Sequence, residues 1–403
     1  MIGLDDVLDA EPRVRETSRH TPVEYSTTFS EMTGAEVHLK MENRQRTGSF
    51  KIRGATNRIA TLSESARDAG VVTASAGNHA QGVALAASRE GVDATVVMPE
   101  NAPFAKVKAT RDYGADVVLH GVDYDEAAER AHEIEREQGR TYVHAFDDPM
   151  IMAGQGTLGL EIARDLPTVD TVAVAVGGGG LISGTATALK GLLDEVRVVG
   201  VQAEGAASAA RSLRKGSIER LDGVDTIADG IAARSVGHET FPIIQERVDE
   251  VVTVSDDDIA TAVTHLLERT KSLVEGAGAV GLAATLADAF DYDDGEVVVP
   301  ALCGGNIDMN VLTTVLTRGL IQTGRYLQIR TVLKDRPGAL ESFLEILADH
   351  RANILAVDHD RASRDVQMNA AEVELDVETR GTDHVERLLA ALREAGYEVE
   401  VLS

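Results

Sequence analysis

The chain has 403 residues, with 66 Asp and Glu against 39 Lys and Arg, a formal charge of −27. Such a negative excess repels phosphate backbones and argues against nucleic acid as a partner. One cysteine, Cys303, rules out an intrachain disulfide and fits a reducing, cytoplasmic setting. From Met1 to Glu11, acidic residues stand where an export signal needs basic and then apolar ones, so none is expected. The first informative stretch is Thr47-Gly48-Ser49-Phe50-Lys51-Ile52-Arg53-Gly54-Ala55. A lysine between an aromatic and an aliphatic residue, after small turn formers and before a helix-like stretch, is placed to have its pKa lowered and its amine made nucleophilic. A surface lysine on an amphipathic helix is the alternative.

The apolar Val71–Ala74 reads as a strand and feeds Ser75-Ala76-Gly77-Asn78-His79-Ala80-Gln81-Gly82, after which Val83–Ala87 reads as a helix. A strand end, a small-residue turn and a helix start put backbone N–H groups where they can hold an anion such as a carboxylate. Alone, this loop is equally an ordinary connection. Strands are expected next at Ala94–Met98 and Asp116–His120, with helices at Phe104–Tyr113 and Tyr124–Gly139. Thr171–Val176 is apolar without alternation, as a buried parallel strand is. It leads into Gly177-Gly178-Gly179-Gly180-Leu181-Ile182-Ser183-Gly184 and the helical Thr185–Lys190. Four successive glycines are costly in entropy and suit backbone that wraps a ligand, with phosphate at a helix N-terminus the obvious one. The dinucleotide fingerprint fails, because Ile182 or Ser183 stands where its third glycine belongs. The P-loop fails because no lysine follows Gly184.

Further strands are expected at Val198–Gln202 and Val297–Ala301, and a helix at Asp256–Ser272. The alternation predicts an α/β fold of parallel sheets with helices on both faces, whose loops meet at the carboxyl ends of the strands. Thr171–Leu189 is uncharged, but its glycines and hydroxyls point to strand, loop and helix rather than a membrane span. Eleven histidines include no H-E-x-x-H, and no metal site is expected.

Together the motifs are similar to a known family. Glu42 to Ala55, S-A-G-N-H-A-Q-G, G-G-G-G-L-I-S-G and Leu302-Cys303-Gly304-Gly305-Asn306 resemble, in order, the signatures of the serine/threonine dehydratases. These are pyridoxal 5′-phosphate enzymes of fold-type II, the tryptophan synthase β-like group. The resemblance implies a two-lobed catalytic domain over residues 1–320, its small lobe at about 40–147 and the rest forming the large lobe. It implies that Lys51 holds the cofactor covalently and acts as the base at Cα. Phe50 and Asn78 would contact the ring, and Gly177, Gly178, Gly179, Gly180 and Leu181 would bind the phosphate. Cys303 would face the ring nitrogen, with Glu275 near the cofactor and Gly230 along the ring edge. Ser75, Ala76, Gly77, Asn78 and His79 would hold an amino-acid substrate. The implied reaction is β-elimination on L-threonine, and on L-serine, to 2-oxobutanoate or pyruvate and ammonia. Relatives that racemise serine carry a second serine where this chain has Ala76, and near Glu204 alanines replace the carboxylates of their divalent-ion site. Another lyase of this fold, including a serine racemase/dehydratase, and a non-catalytic cofactor-holding amino-acid sensor are the alternative readings. An acidic surface with only eight lysines suits a salt-rich cytoplasm, although an ordinary acidic cytosolic protein could share it.

After Gly324 the pattern changes. Tyr326–Leu333 alternates as a half-buried strand, Asp335-Arg336-Pro337-Gly338 is a turn, and Ala339–Asp349 has helical periodicity. Strands at Ile354–His359 and Ala371–Val377, a helix at Thr382–Ala395 and a closing strand at Tyr397–Leu402 complete a βαββαβ order. Residues 325–403 resemble an ACT domain, an α+β ferredoxin-like unit. The resemblance implies that Gly338, Asn353 and Ile354 take an amino-acid effector, isoleucine or valine, at an interface between subunits of a dimer or tetramer. That would fit the committed step of isoleucine synthesis. A purely oligomerising role is the alternative.

Overall fold

The computed structural model describes residues 1–361 and 369–402, which divide into compact units at residues 1–308 and 309–403. In the first unit the strands are β1 (Val23–Tyr25), β2 (Glu36–Lys40), β3 (Val71–Ala74), β4 (Ala94–Met98), β5 (Asp116–Leu119) and β6 (Thr141–Tyr142). They continue with β7 (Thr171–Ala175), β8 (Arg197–Ala203), β9 (Glu250–Val254) and β10 (Val297–Pro300). They form two sheets. One has the order β5-β4-β3-β6, all parallel, with Val71 opposite Ala94 and Thr95 opposite Asp116. The other has the order β1-β2-β10-β7-β8-β9, parallel except for the β1–β2 pair, with Val172 opposite Val198. Every residue of β3, β4 and β7 is buried, which is why these strands read as unbroken apolar runs.

The smaller sheet packs Val71, Val96 and Met98 with Ile52 of the helix Lys51–Ala60, Val83 of the helix Asn78–Glu90 and Ile151 of the helix Pro149–Asp165. Asp148 caps that last helix, accepting the N–H groups of Met150 and Ile151, with Pro149 at its first turn. The stretch expected as one helix over Asp256–Ser272 is α-helical only to His265. It widens to a π turn over Leu266–Thr270 and stops at Lys271, whose φ of 56° is incompatible with continuing the helix. Among the described residues no helix is long and apolar enough to cross a membrane.

The second unit begins with the helix Met309–Gln322. Strands β11 (Tyr326–Lys334), β12 (Asn353–Asp360), β13 (Ala370–Glu378) and β14 (Val399–Val401) follow, with helices Ala339–Asp349 and Thr382–Glu394 between them. The βαββαβ order expected from the periodicity is the one observed. The sheet is antiparallel in the order β12-β13-β11-β14, with Tyr326 opposite Glu378 and Lys334 opposite Ala370. Alternation puts Leu327, Ile329, Leu333, Val373, Leu375 and Val377 against Phe343, Leu347, Leu388 and Leu392 of the helices.

Candidate active site

A cleft of about 930 Å³ opens at the carboxyl ends of β3 and β7. Phe50, Lys51, Ser75 to His79, Gly177 to Leu181, Gly230, Glu275 and Cys303 all line it. These residues come from six separate stretches of the chain, and the fold gathers them into one place.

Lys51 opens its helix directly after Phe50. Its Nζ donates to the carbonyl of Ala145 at 2.9 Å and lies 5.2 Å from the centre of the Phe50 ring. Burial of the amine lowers its pKa to about 8, and Glu275 and Cys303 offset the shift only in part. The side chain keeps some solvent contact through the cleft while protein atoms crowd the amine. The Phe50 N–H bonds the Cys303 carbonyl at 3.1 Å, and Ser49 bridges Gly304, so the lysine loop is fastened to the end of β10.

Cys303 is 3% exposed, and burial pushes its thiol up to about 12, so it is neutral at physiological pH. Beside it, Glu275 accepts from Asn78 Nδ2 at 2.6 Å. Burial raises the Glu275 pKa, against the pull of that hydrogen bond. Asn306 Nδ2 donates to Asn78 Oδ1 at 2.8 Å and to the Thr47 carbonyl at 2.6 Å, so the Asn78 amide is oriented from both sides. A Cβ on Gly304 would run into Glu275 Oε1, which is why glycine stands there.

The first turns of two helices, Asn78–Glu90 and Gly180–Leu192, line the cleft, where first-turn amides lack partners within the helix. Ser75 Oγ accepts the Gly77 N–H at 3.1 Å and shapes the first turn. His79 is 3% exposed, and its ring meets the Val143 carbonyl through Nε2 at 3.0 Å, leaving Nδ1 without a partner. Burial lowers it to about 3, with a further push from the Lys51 charge, so it is neutral. Gly179 has φ +95°, and a Cβ on Gly180 would lie 2.8 Å from Phe146 Cα. One on Gly178 would strike the Phe146 ring. Pyridoxal phosphate fits this cleft. The glycine loop meets it at a helix N-terminus, and an amine and a neutral thiol border the same space.

Several contributors are not legible in the sequence. Phe146 packs edge-on against His144 with centroids 4.6 Å apart and underlies the glycine loop. Asp147 accepts the amides of His238, Glu239 and Thr240, tying that segment to the cleft wall. Arg234 and Arg220 reach Asp125 at 3.1 and 3.5 Å. Behind the Lys51 helix lies a buried ionic cluster. Arg53 forks onto Glu42 (2.9 and 2.7 Å) and Glu161 (2.7 and 2.8 Å), and Lys40 Nζ donates to Glu161 at 2.7 Å. Burial raises the pKa of Glu161, but Arg53 and Lys40 overcome it and hold the carboxyl at about 2. For Lys40, burial outweighs the attraction of Glu161 and Glu42, with a smaller push from the Arg53 charge, and its pKa is lowered. In unit 2, Gly338 caps its helix at φ +83°, Asn353 Nδ2 donates to Glu378 at 3.0 Å, and Ile354 sits at a bulge in β12.

With this geometry in view, comparison with known proteins is specific. The family described as "Pyridoxal-phosphate dependent enzyme" matches residues 14–304. An L-threonine ammonia-lyase of Thermotoga maritima is 49% identical over 402 residues, covering 100% of both chains. Among solved structures, threonine deaminase isoform 2 of Solanum lycopersicum aligns with TM-score 0.76 and 40% identity, covering 78% of this chain and 86% of that one. A maize serine racemase aligns with TM-score 0.75 and 35% identity, covering 79% of this chain and 98% of that one.

Proposed function

This chain belongs to the pyridoxal-phosphate dependent enzymes, and from that membership we propose that it is a threonine ammonia-lyase. It would convert L-threonine to 2-oxobutanoate and ammonia, and L-serine to pyruvate. One observation carries the reading: an amine lowered to about 8 shares a single cleft with a tetraglycine cradle and a protonated cysteine. The bound cofactor supplies an electron-withdrawing ring that lets an amino acid joined to it lose its Cα proton. Gly177 to Leu181 would hold its phosphate through backbone amides, and Lys51 would hold it covalently. Once free, Lys51 Nζ takes the proton from substrate Cα. Its pKa near 8 suits that task close to neutral pH. Phe50, Asn78, Glu275 and Gly230 would border the ring. Cys303, as a neutral thiol, would leave the ring nitrogen without a carboxylate partner, which favours loss of a β-hydroxyl over transamination. Ser75 to His79 would hold the substrate carboxylate on the first-turn amides of the Asn78 helix.

Ala76 separates this reading from racemisation. With no hydroxyl at that position, a second proton carrier on the opposite face of Cα is missing. The second unit would act as an amino-acid-responsive ACT domain, with isoleucine or valine near Gly338, Asn353 and Ile354, in a cytoplasmic homo-oligomer serving isoleucine synthesis. Keto acid release from L-threonine and from L-serine tests the activity. Borohydride reduction followed by peptide mass spectrometry tests the attachment, and an adduct anywhere but Lys51 refutes it. Titration calorimetry with isoleucine and valine tests the effector, and absence of heat with either would leave the second unit a structural role.

A further inference from the structure

We propose that the second unit carries a binding site for a doubly charged, phosphate-type anion. A cavity of about 480 Å³ is lined by Arg351, Arg380, Arg387, His350, Asp383 and His384. Among the described residues, none of the three guanidinium groups has a carboxylate or hydrogen-bond partner. Elsewhere in the same unit an arginine is fully engaged, since Arg330 meets Glu372, Glu374 and Glu400. In a chain of charge −27, three unpaired guanidinium groups converging on one cavity run against the whole composition.

The site is also held together from behind. His384 is 7% exposed, and its Nδ1 accepts the Arg380 N–H at 3.0 Å while Nε2 donates to the His350 carbonyl at 2.7 Å. One imidazole therefore pins the backbone at Arg380, just before the helix that carries Arg387, to the turn bearing Arg351. The backbone that carries Arg380 and Arg351 is therefore fixed before an anion arrives. Three guanidinium charges less the Asp383 carboxylate leave two positive charges, the complement of a phosphate dianion, whose oxygens the planar fork of arginine fits. None of Gly338, Asn353 and Ile354 lines the cavity, so this site is separate from the effector position inferred above.

The experiment is titration calorimetry of the full-length holoenzyme, its glycine cradle filled with cofactor, using inorganic phosphate in chloride buffer. We expect one saturable site per chain. The Arg380→Gln/Arg387→Gln double variant should weaken it by roughly tenfold or more. Arg393→Gln, on the same helix but outside the cavity, should leave it unchanged. Should the double variant misfold, Arg387→Gln alone, on an exposed helix position, must show the same weakening. Phenyl phosphate binding more tightly than phosphate would mark an organic ester as the occupant. Weaker binding would mark free phosphate, and either supports the site. No saturable phosphate heat, equal affinity in the arginine variants, or malonate binding as tightly as phosphate would overturn the proposal.

Discussion

The buried cluster behind the Lys51 helix gives the sharpest stability prediction. Two cations, Lys40 and Arg53, face two anions, Glu42 and Glu161, with Glu161 7% exposed. Glu161→Gln keeps the size of the side chain and removes one charge, leaving two buried cations against a single carboxylate. A contact of 2.7 Å is worth about 6 kcal/mol of attraction at an effective dielectric of about 20, much of it offset by the desolvation of both ions. Breaking such a buried pair from one side costs about 3–5 kcal/mol. For a unit of 308 residues, an unfolding entropy of about 0.65 kcal/mol/K turns that into a Tm loss of about 5–8 °C. Scanning calorimetry of the holoenzyme at pH 7 measures it, with the exposed Glu31→Gln as control. Adding Lys40→Met to Glu161→Gln restores the charge balance and should recover a large part of the loss, a coupling that a double-mutant cycle reads directly. The pH dependence has a definite sign. Because the folded pKa of Glu161 lies near 2, below its ordinary 4.5, the stability it contributes is complete above about pH 4.5. The contribution fades as pH falls toward 2, and the gap between wild type and variant must close over that window. A Glu161→Gln protein as stable as the control, or a double variant worse than the single, would refute the reasoning.

Three more outcomes are expected. Covalent capture of pyridoxal phosphate by the apo chain needs a neutral Lys51 amine, so its rate should climb with pH to a half-point near 8, followed by absorbance; a half-point near 10.5 would mean the amine is not desolvated. Gly178→Ala should weaken cofactor retention by roughly tenfold or more in a fluorescence titration. Adding Phe146→Ala should restore part of it, since the added Cβ meets that ring. Cys303, buried and pushed up to about 12, should resist iodoacetamide at pH 8 in the folded protein and react once unfolded, as judged by mass spectrometry.

The parts of this protein that its sequence determined alone are those where backbone chemistry restricts the residue type. A tetraglycine after an all-apolar strand, a lysine behind small turn formers, and an alternating strand after Gly324 each have few physical explanations, and the fold has those elements in those places. Only the tertiary structure decided which side chains meet. Glu161 looks like an ordinary helix-surface carboxylate, yet it closes a charge cluster 108 and 121 residues away from its partners Arg53 and Lys40. Phe146 and Asn306 likewise act through contacts distant in sequence, on Gly178 and Asn78. Local propensity and periodicity carry no term for such pairs. They exist because burial makes an unpaired charge or an unfilled cradle costly, and that cost is set only when the chain closes on itself.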